Sequence, residues 1–552
     1  MRYFLGGAVQ SAVLEVFVES NAEVQSVDVA VCGAGPVGLT AAALLGARGL
    51  SVALLEQHDT TSDEPKAISI DDEALRIFQH AGVIEAVLPV VIPGTGTRYY
   101  GSHGQPLFHA RGESPYRLGY PFKNPFAQPD LECVLARDLA ARSNVDVLFG
   151  HRVVAFQDLA DSVLLRAEHD GADRVIRARY VFGCDGGRSA TRILQGGRML
   201  GRSHQDVWLV VDTIDDSHTE RFAMHHGDPR RPHVIVPGMD GRCRYEFRLF
   251  DGEGVPEVSP SFNLVHELVS PHRPIKPEHV VRAVNYRFNS VVAERWMIGR
   301  SFLLGDAAHM MPPFAGQGLN SGIRDAANLA WKVADVLDGR LDPSVLATYE
   351  EERRPHALAT VRMSERLGRM VMTTSVRLAT RRDEIASRTM STTHGRAFLE
   401  EMRYRPRQHY RRGLVVGGSE DDLVGVGLGQ PLAFDLLTRR VARLDHLICD
   451  GWTLFGVDVA EDDWTAVEPL AHAFGATTAF IGTDENLRRT KRRVLIDVDG
   501  GLKREFSCYT GRFVLLRPDK FVAAAWSPSS LDEVAEQLLS WLPSRSSAPI
   551  AL

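Results

Sequence analysis

Val27-Asp28-Val29-Ala30-Val31-Cys32-Gly33-Ala34-Gly35-Pro36-Val37-Gly38 is the stretch whose reading decides the fold. Its apolar half predicts a buried strand, and its glycines have the spacing of a dinucleotide turn. Gly33 makes the tight turn, Gly35 admits a pyrophosphate to the backbone, and Gly38 lets the following helix pack closely on the strand. Ala34, Pro36 and Val37 complete that turn. A helix over Leu39–Arg48 and a second strand over Ser51–Leu55 follow, ending at Glu56-Gln57. An acid at the tip of the second strand accepts both hydroxyls of an adenosine ribose and disfavours a phosphate there, so the ligand is FAD or NAD. A lone glycine triplet is weak evidence; strand, glycines, helix, strand and acid in register are strong.

A second stretch, Leu304 to Leu319, repeats the device of a strand that ends in an acid. The apolar run Phe302-Leu303-Leu304 stops at Gly305-Asp306, Pro312-Pro313 forbids a simple helix, and Gly316-Gln317-Gly318 lets backbone approach a ligand. Leu319, Asn320 and Ser321 then lead into a helix, with Asn320-Ser321 read as its cap and Ile323, Ala326, Ala327, Ala330, Val333 and Leu337 at a helical period. Its N-terminus aims a partial positive charge back at the glycines, which suits a ring that carries negative charge. Arg179–Ser189 is a third strand that ends in acid and glycines, Asp185-Gly186-Gly187.

Between these markers lie further candidates. Lys66 reads either as a solvated loop lysine or as a cofactor contact, and Asp71 or Asp72 as a helix cap. Gln128 and Arg137 are the notable polar residues of a helix opened by Asn124–Asp130, each with a surface alternative. From about Leu200 to Val292 the pattern changes to short alternating segments, which predicts an antiparallel sheet. There Arg242, Arg244, Glu246 and Arg248 share one face, opposite Cys243, Tyr245 and Phe247. That charged face is either solvated or the roof of a pocket, where an arginine grips a carboxylate bidentately.

The chain has 552 residues, too many for one core, with 44% hydrophobic and 24% charged residues and a net charge of −7. Such a balance gives no bulk attraction to nucleic acid or to an anionic membrane. The six cysteines, Cys32, Cys133, Cys184, Cys243, Cys449 and Cys508, form no Cys-x-x-Cys, so reduced thiols in the cytoplasm are expected and no metal site is. Residues 1–26 read as an N-terminal extension and not a signal peptide, and no segment has the length to span a bilayer. Glu350-Glu351-Glu352-Arg353-Arg354 reads as a solvated helix face. From about residue 408 the alternation restarts in Trp452–Phe455, Val494–Val498, Phe513–Leu516 and Phe521–Ala525, and a helix boxed by Ser530 and Glu533 follows. This implies a separate small α/β domain.

Taken together, Gly33-x-Gly-x-x-Gly38, Asp185-Gly186 and Gly305-Asp306 resemble the three fingerprints of single-component FAD-dependent aromatic hydroxylases of the para-hydroxybenzoate hydroxylase type. Ala67–Arg76, Asn320–Asp325, Phe398–Pro406 and Leu516–Ala523 bring the resemblance closer to 3-(3-hydroxyphenyl)propionate and 3-hydroxycinnamate 2-hydroxylases. The resemblance implies an α/β fold: a Rossmann-like FAD-binding domain (27–199 and 293–407), an inserted antiparallel β-sheet substrate domain (200–292) and a C-terminal thioredoxin-like domain (408–552) without a redox dithiol. It further implies bound FAD, transient NADH or NADPH, O2 and a small phenolic acid, and it allows a homodimer. By resemblance, Gly33, Gly35, Gly38 and Glu56 hold the ADP half of FAD and Gln128 and Arg137 lie near its pyrophosphate and ribityl chain. Asp185 supports the groove where the two cofactors meet, Asp306 binds ribityl hydroxyls, and Pro312–Asn320 cradles the isoalloxazine. Lys66 stands where such enzymes often carry arginine. Arg244 and Arg248 are the candidate anchors for a substrate carboxylate, and none of these motifs names a group for the phenolic proton. The rival readings are a FAD-dependent dehydrogenase that inserts no oxygen, and a flavoprotein acting on or sequestering larger polycyclic aromatics such as antibiotics.

Overall fold

The computed structural model describes residues 24–256, 258–417, 423–482 and 492–543. Residues 1–23 of the expected N-terminal extension lie outside this set. The chain forms two compact units: one of residues up to Gly112, Pro121–Ala326 and Ala357–Arg405, the other of Glu113–Tyr120, Ala327–His356 and the chain from Pro406 onward.

The first unit holds two large sheets. One carries the parallel strands Val145–Leu148, Val52–Leu55, Val24–Cys32, Ala172–Gly183 and Ser301–Leu303, in that order. The first strand starts at Val24 rather than Val27, because Val24, Gln25 and Ser26 pair with Val175, Ile176 and Arg177. Ala30, Cys32, Ala53, Leu55, Ile176 and Val181 form one core of this sheet. Near-continuous apolar runs such as these are what a parallel sheet covered on both faces requires. Because the strands are parallel, the turns after Cys32, Gly183 and Leu303 all open at one end of the sheet.

The second sheet has eight strands in the order His309–Met310, Val280–Ala293, Met199–Thr213, Cys243–Arg248, His233–Pro237, Ala223–His226, Thr97–Tyr100 and Pro106–Ala110. The first and the last two come from outside the segment read as sheet. Alternation places Leu209, Val211, Ile235, Tyr245 and Phe247 against Val265, Leu268 and Val269 of the helix Phe262–Val269. The opposite face supplies Trp208, Val234, Val236 and Phe288 to a core shared with Phe314, Leu367 and Val371. A side-chain period of two thus divides each strand between a structural face and a face available to a ligand.

On the structural face, His226 and His233 stack at 4.3 Å, Tyr100 stacks on His226 at 4.6 Å, and His272 lies 4.8 Å from His233. Burial, and then the proximity of one imidazole to another, lowers all three histidines to about 4. A histidine kept neutral in the fold but free to protonate near 6.5 when unfolded destabilises the native state as pH falls between those values. The first unit therefore loses on the order of a few kcal/mol between about pH 6.5 and 4, and acid unfolding followed by tyrosine and tryptophan fluorescence checks it. Replacing His233 by Phe flattens that slope.

The second unit contains a four-stranded sheet in the order Thr477–Ile481, Thr453–Val457, Arg512–Leu516, Val522–Trp526. Its first two strands are parallel and the rest antiparallel. The helix Leu531–Leu539 follows, but Ser530 makes no side-chain cap. The 3-10 turn Pro528–Ser530 runs straight into this helix, and the Ser530 hydroxyl bonds Ser527 instead. The charged run at 350–354 also departs from expectation, since Glu352 and Arg353 are buried. Glu352 accepts from Lys332 at 2.8 Å and from both Nη atoms of Arg517 at 2.8 Å each.

Candidate active site

The dinucleotide turn shows why each glycine is there. Gly33 sits at φ +101 and donates its N–H to Leu55 at 2.7 Å, closing the turn between neighbouring strands. A Cβ on Gly38 would stand 1.9 Å from the Gly33 carbonyl oxygen, so only glycine allows the helix Pro36–Ala47 to lie this close. At Gly35 a Cβ would meet nothing within 4 Å, because that position faces open space in front of the helix N-terminus. Glu56 accepts from the Ala34 N–H at 2.8 Å and the His58 N–H at 3.1 Å, which holds its carboxylate beside the glycines.

Two further strand ends complete the wall. Asp185 Oδ2 accepts from the Thr191 N–H and hydroxyl at 2.8 and 2.9 Å, while its buried Oδ1 has no protein partner among the described residues. Asp306 projects into the cavity, and the surrounding protein raises its carboxyl above the usual range, against the pull of His309 and Lys66. The Gly305-Asp306 turn is braced from behind by Asp325, which accepts from the Gly305 N–H at 3.1 Å and pairs with His309 at 2.7 Å.

The proline-glycine turn is held by a polar cluster that includes Asn320, read above as a helix cap. The helix Gly318–Leu337 starts two residues before Asn320, so Asn320 lies inside its first turn. Its side chain instead donates to Gly316 at 2.7 Å and Ser69 at 3.2 Å, and accepts from the Asp71 N–H at 3.0 Å. Arg324 joins Asp71, Glu73 and Gln317, and Asp71 caps the helix Asp72–His80 through Ala74. Gly316, at φ +62, is thereby fixed in the left-handed conformation that points its backbone into the cavity.

All these elements line one cavity of about 1930 Å³ within the first unit. Of the expected cofactor residues, Gly33, Ala34, Gly35, Pro36, Val37, Glu56, Gln57, Lys66, Gln128, Asp185, Asp306, Gly316, Gly318 and Leu319 lie on its surface. Gly38, Gly305, Pro312 and Asn320 stand behind or beside that surface. Gln128 bridges the Ala67 N–H and Glu132, at 2.7 Å each. Arg137 is exposed, lies off the cavity wall and, among the described residues, donates to Cys133 Sγ at 3.8 Å.

The two candidate anchors already have partners within the fold. Arg244 does face the cavity, but its guanidinium is taken by Asp212 at 2.6 and 3.0 Å and by the Lys66 carbonyl at 2.7 Å. Arg248 is bound to Asp206 at 2.5 Å and lies off the cavity wall. A substrate carboxylate would have to displace a carboxylate already in place. Arg244→Met therefore leaves the buried Asp212 with only Arg282, at 3.6 Å, and costs on the order of 3 kcal/mol, whereas Arg248→Ala leaves the KM for the acid unchanged; denaturation and steady-state kinetics distinguish these outcomes. Lys123 and His225, which the sequence reading did not single out, line the same cavity. The available signal is a single charge, Lys123, in the otherwise uncharged run Pro121-Phe122-Lys123-Asn124-Pro125-Phe126.

The residues fit FAD: open backbone at Gly35, a ribose acid at Glu56, an orphaned oxygen on Asp185, and a helix N-terminus at Gly318 opening on the cavity. A site of this kind on this α/β fold defines a FAD-dependent monooxygenase. Residues 26–364 match the FAD binding domain family, and residues 428–540 match the HcaD C-terminal domain. The chain is 35% identical to a 3-(3-hydroxy-phenyl)propionate/3-hydroxycinnamic acid hydroxylase of Mycobacterium sp. (strain KMS), over 93% of this chain and 90% of the relative. A second enzyme of that name, from Burkholderia vietnamiensis (strain G4 / LMG 22486), is 33% identical over 90% of this chain and 93% of its own. Among solved structures, the flavin-dependent monooxygenase PieE, in complex with FAD and substrate, superposes with a TM-score of 0.77 at 22% identity, covering 93% of this chain and 98% of that one. Aklavinone-11 hydroxylase with FAD and aklavinone gives 0.75 at 23% identity, covering 94% of this chain and 99% of that one. The chain belongs to the FAD binding domain family and is a FAD-dependent aromatic hydroxylase.

Proposed function

We propose that the enzyme uses NADH or NADPH and O2 to hydroxylate 3-(3-hydroxyphenyl)propionate and 3-hydroxycinnamate ortho to the phenol, giving the 2,3-dihydroxy acids. The observation that carries this reading is near full-length likeness to hydroxylases of that name from two bacterial genera. The cavity supports it. Phe288, Phe314, Val210, Val234, Val236 and Ala223 form an apolar wall for one aromatic ring beside the turn that holds Gly316. FAD, when bound, supplies the hydride acceptance and oxygen activation that no amino acid provides. The chain's own part is to position the ring, exclude water and stabilise charge. The N-terminus of Gly318–Leu337 places its partial positive charge at the cavity for a reduced, anionic ring. One Gly-x-Gly-x-x-Gly serves one dinucleotide, so the nicotinamide cofactor binds transiently over the same unit.

The proposed domain plan keeps residues 27–199 and 293–407 for FAD, 200–292 for substrate, and 408–552 as a thioredoxin-like platform, with the strands Thr97–Tyr100, Pro106–Ala110 and His309–Met310 joining the substrate sheet. The strand order of the last, with one parallel and two antiparallel pairings, supports that comparison. Cys449 and Cys508 are unpaired there, which suits a structural or dimer-forming role rather than disulfide exchange. Among the described residues no helix is long and apolar enough to cross a membrane, and a cytoplasmic setting is proposed with the reduced thiols. The test is NADH oxidation across hydroxyphenyl acids under 18O2, with product identification. One labelled oxygen in a catechol is the expected result, whereas flavin reduction without oxygen incorporation would return the reading to a dehydrogenase.

A further inference from the structure

Lys123 is a buried basic group of the cavity that makes no ion pair among the described residues. It lies on the strand Lys123–Pro125, opposite Asp71 in the pairing with Ser69–Asp71, and is only 7% exposed. Its ammonium makes no hydrogen bond or ion pair among the described residues, and it lines the cavity. Other basic groups there differ: Arg244 is held by Asp212, Arg282 lies 3.6 Å from Asp212, Lys66 lies 3.5 Å from Glu64, Arg152 meets Glu168 at 2.5 Å, and Arg287 is exposed to solvent. Asp71 offers Lys123 little, because Arg324, Gln317 and the Ala74 N–H already occupy its oxygens. A buried, uncompensated ammonium is costly unless an anion arrives to meet it.

Its surroundings identify the group that would become that anion. Nζ lies 3.8 Å from the place a Cβ would take on Gly316, in the turn assigned to the flavin ring. His225, from the sheet wall, lines the same space and is buried, with an unpartnered Nδ1. Burial and the charge of Lys123 lower His225 to about 3, so its imidazole stays neutral at working pH. Phe314, Val234 and Val236 make the remaining wall apolar. In a meta-hydroxyphenyl acid the carbon that receives oxygen is bonded to the carbon bearing the phenol. The phenolic oxygen therefore has to lie at the flavin end of the cavity, whereas the carboxylate trails several bonds away.

We propose that Lys123, assisted by the neutral imidazole of His225, receives the phenolic oxygen of the substrate and takes its proton. The O–H bond breaks as an N–H bond forms, so neutral amine and phenol become ammonium and phenolate in contact, with no net charge brought into the apolar chamber. The step needs no further reactant. Phenolate is the electron-rich form that an electrophilic oxygen attacks, and an ammonium in contact lowers a phenol's pKa toward neutrality. Burial and then Arg405, against Asp71, bring Lys123 down to about 8, close enough to neutral pH for the free amine to be populated. This inference rests on the phenolic substrate class proposed above.

The test compares two ligands on FAD-loaded wild type and Lys123→Met: 3-(3-hydroxyphenyl)propionate and its deoxy counterpart 3-phenylpropionate, titrated through flavin difference spectra at pH 7. The expected result is a Kd for the phenol raised tenfold or more, with the Kd for the deoxy acid changed less than twofold. A phenolate band appears in the near-ultraviolet on binding to wild type and is lost in the variant. Equal weakening of both acids would make Lys123 a carboxylate anchor and overturn the proposal. Unchanged binding of both acids, or a wild-type complex without phenolate, would also overturn it. If Lys123→Met fails to retain FAD, Lys123→Gln takes its place, and the wild-type phenolate band remains decisive by itself. If the wild type hydroxylates a different phenol, that phenol and its deoxy form replace the pair. Product from wild type with an indifferent variant defeats this inference alone, whereas no product from any phenol defeats the functional reading as well.

Discussion

Gly38→Ala produces a colourless protein. The added Cβ would lie 1.9 Å from the Gly33 oxygen, 3.1 Å from the Gly33 carbonyl carbon and 3.2 Å from Cys184 Cβ. Two of these three atoms are backbone, so no side chain can rotate away, and the helix Pro36–Ala47 must lift off the strand that ends at Cys32. Lifting it misplaces the N–H groups at the helix start, which are the donors a pyrophosphate needs. Flavin affinity is expected to fall by at least about 100-fold, equivalent to roughly 3 kcal/mol, read from the ratio of flavin to protein absorbance and from reconstitution with excess FAD. Gly35→Ala is the informative partner. Its Cβ meets no protein atom within 4 Å, so the fold is kept, and the methyl occupies space in front of the turn. That variant should melt like wild type when both are stripped of flavin yet bind FAD weakly. Equal flavin content in both variants and wild type would refute the assignment of this turn.

Glu352→Gln has the second largest expected effect, and it falls on the other unit. Glu352 is fully buried and takes hydrogen bonds from Lys332, Asn328, the Leu414 N–H and both Nη atoms of Arg517. Arg517 also pairs with Asp519 at 2.7 Å and stacks near Trp331 and Tyr410. Burial opposes the charge on Glu352, but Arg517 and Lys332 outweigh it and hold the carboxyl down at about 2. Removing the charge leaves two buried cations short of a partner, at a cost of roughly 3–5 kcal/mol. The sign with pH follows from the lowered pKa. A carboxylate at about 2 in the fold and near 4.3 unfolded contributes stability in full above about pH 4.3 and loses it as pH falls toward 2. Urea titrations at pH 7 and pH 3 should therefore show a large difference between wild type and variant at the first pH and a smaller one at the second. A pH-independent difference would show that packing, not charge, is what the substitution removes.

The local signals that were legible share one property, that their meaning is settled within a few residues. Glycine at a position of positive φ, an acid at a strand end and alternation along Cys243–Arg248 are backbone constraints, and the chain obeys them at Gly33, Asp306 and the core face of Tyr245 and Phe247. What failed were assignments of a charged side chain's partner. The run around Glu352 read as solvated because a charge run is indistinguishable from a surface until Arg517, 165 residues later, is placed against it. Arg244 read as an open carboxylate anchor for the same reason, since Asp212 lies on the neighbouring strand. Lys123 passed unnoticed because lacking a partner is a property of the surroundings and not of the residue.

By itself the amino-acid order determined that a strand, a close-packed helix and a second acid-tipped strand would meet at a nucleotide, since steric limits on φ and ψ and the burial of apolar runs act locally. Only the tertiary structure decided which charges are already neutralised and which stay available to a substrate. Electrostatic pairing depends on distance through space and on exclusion of water, and both are created when elements far apart in the chain close around one cavity.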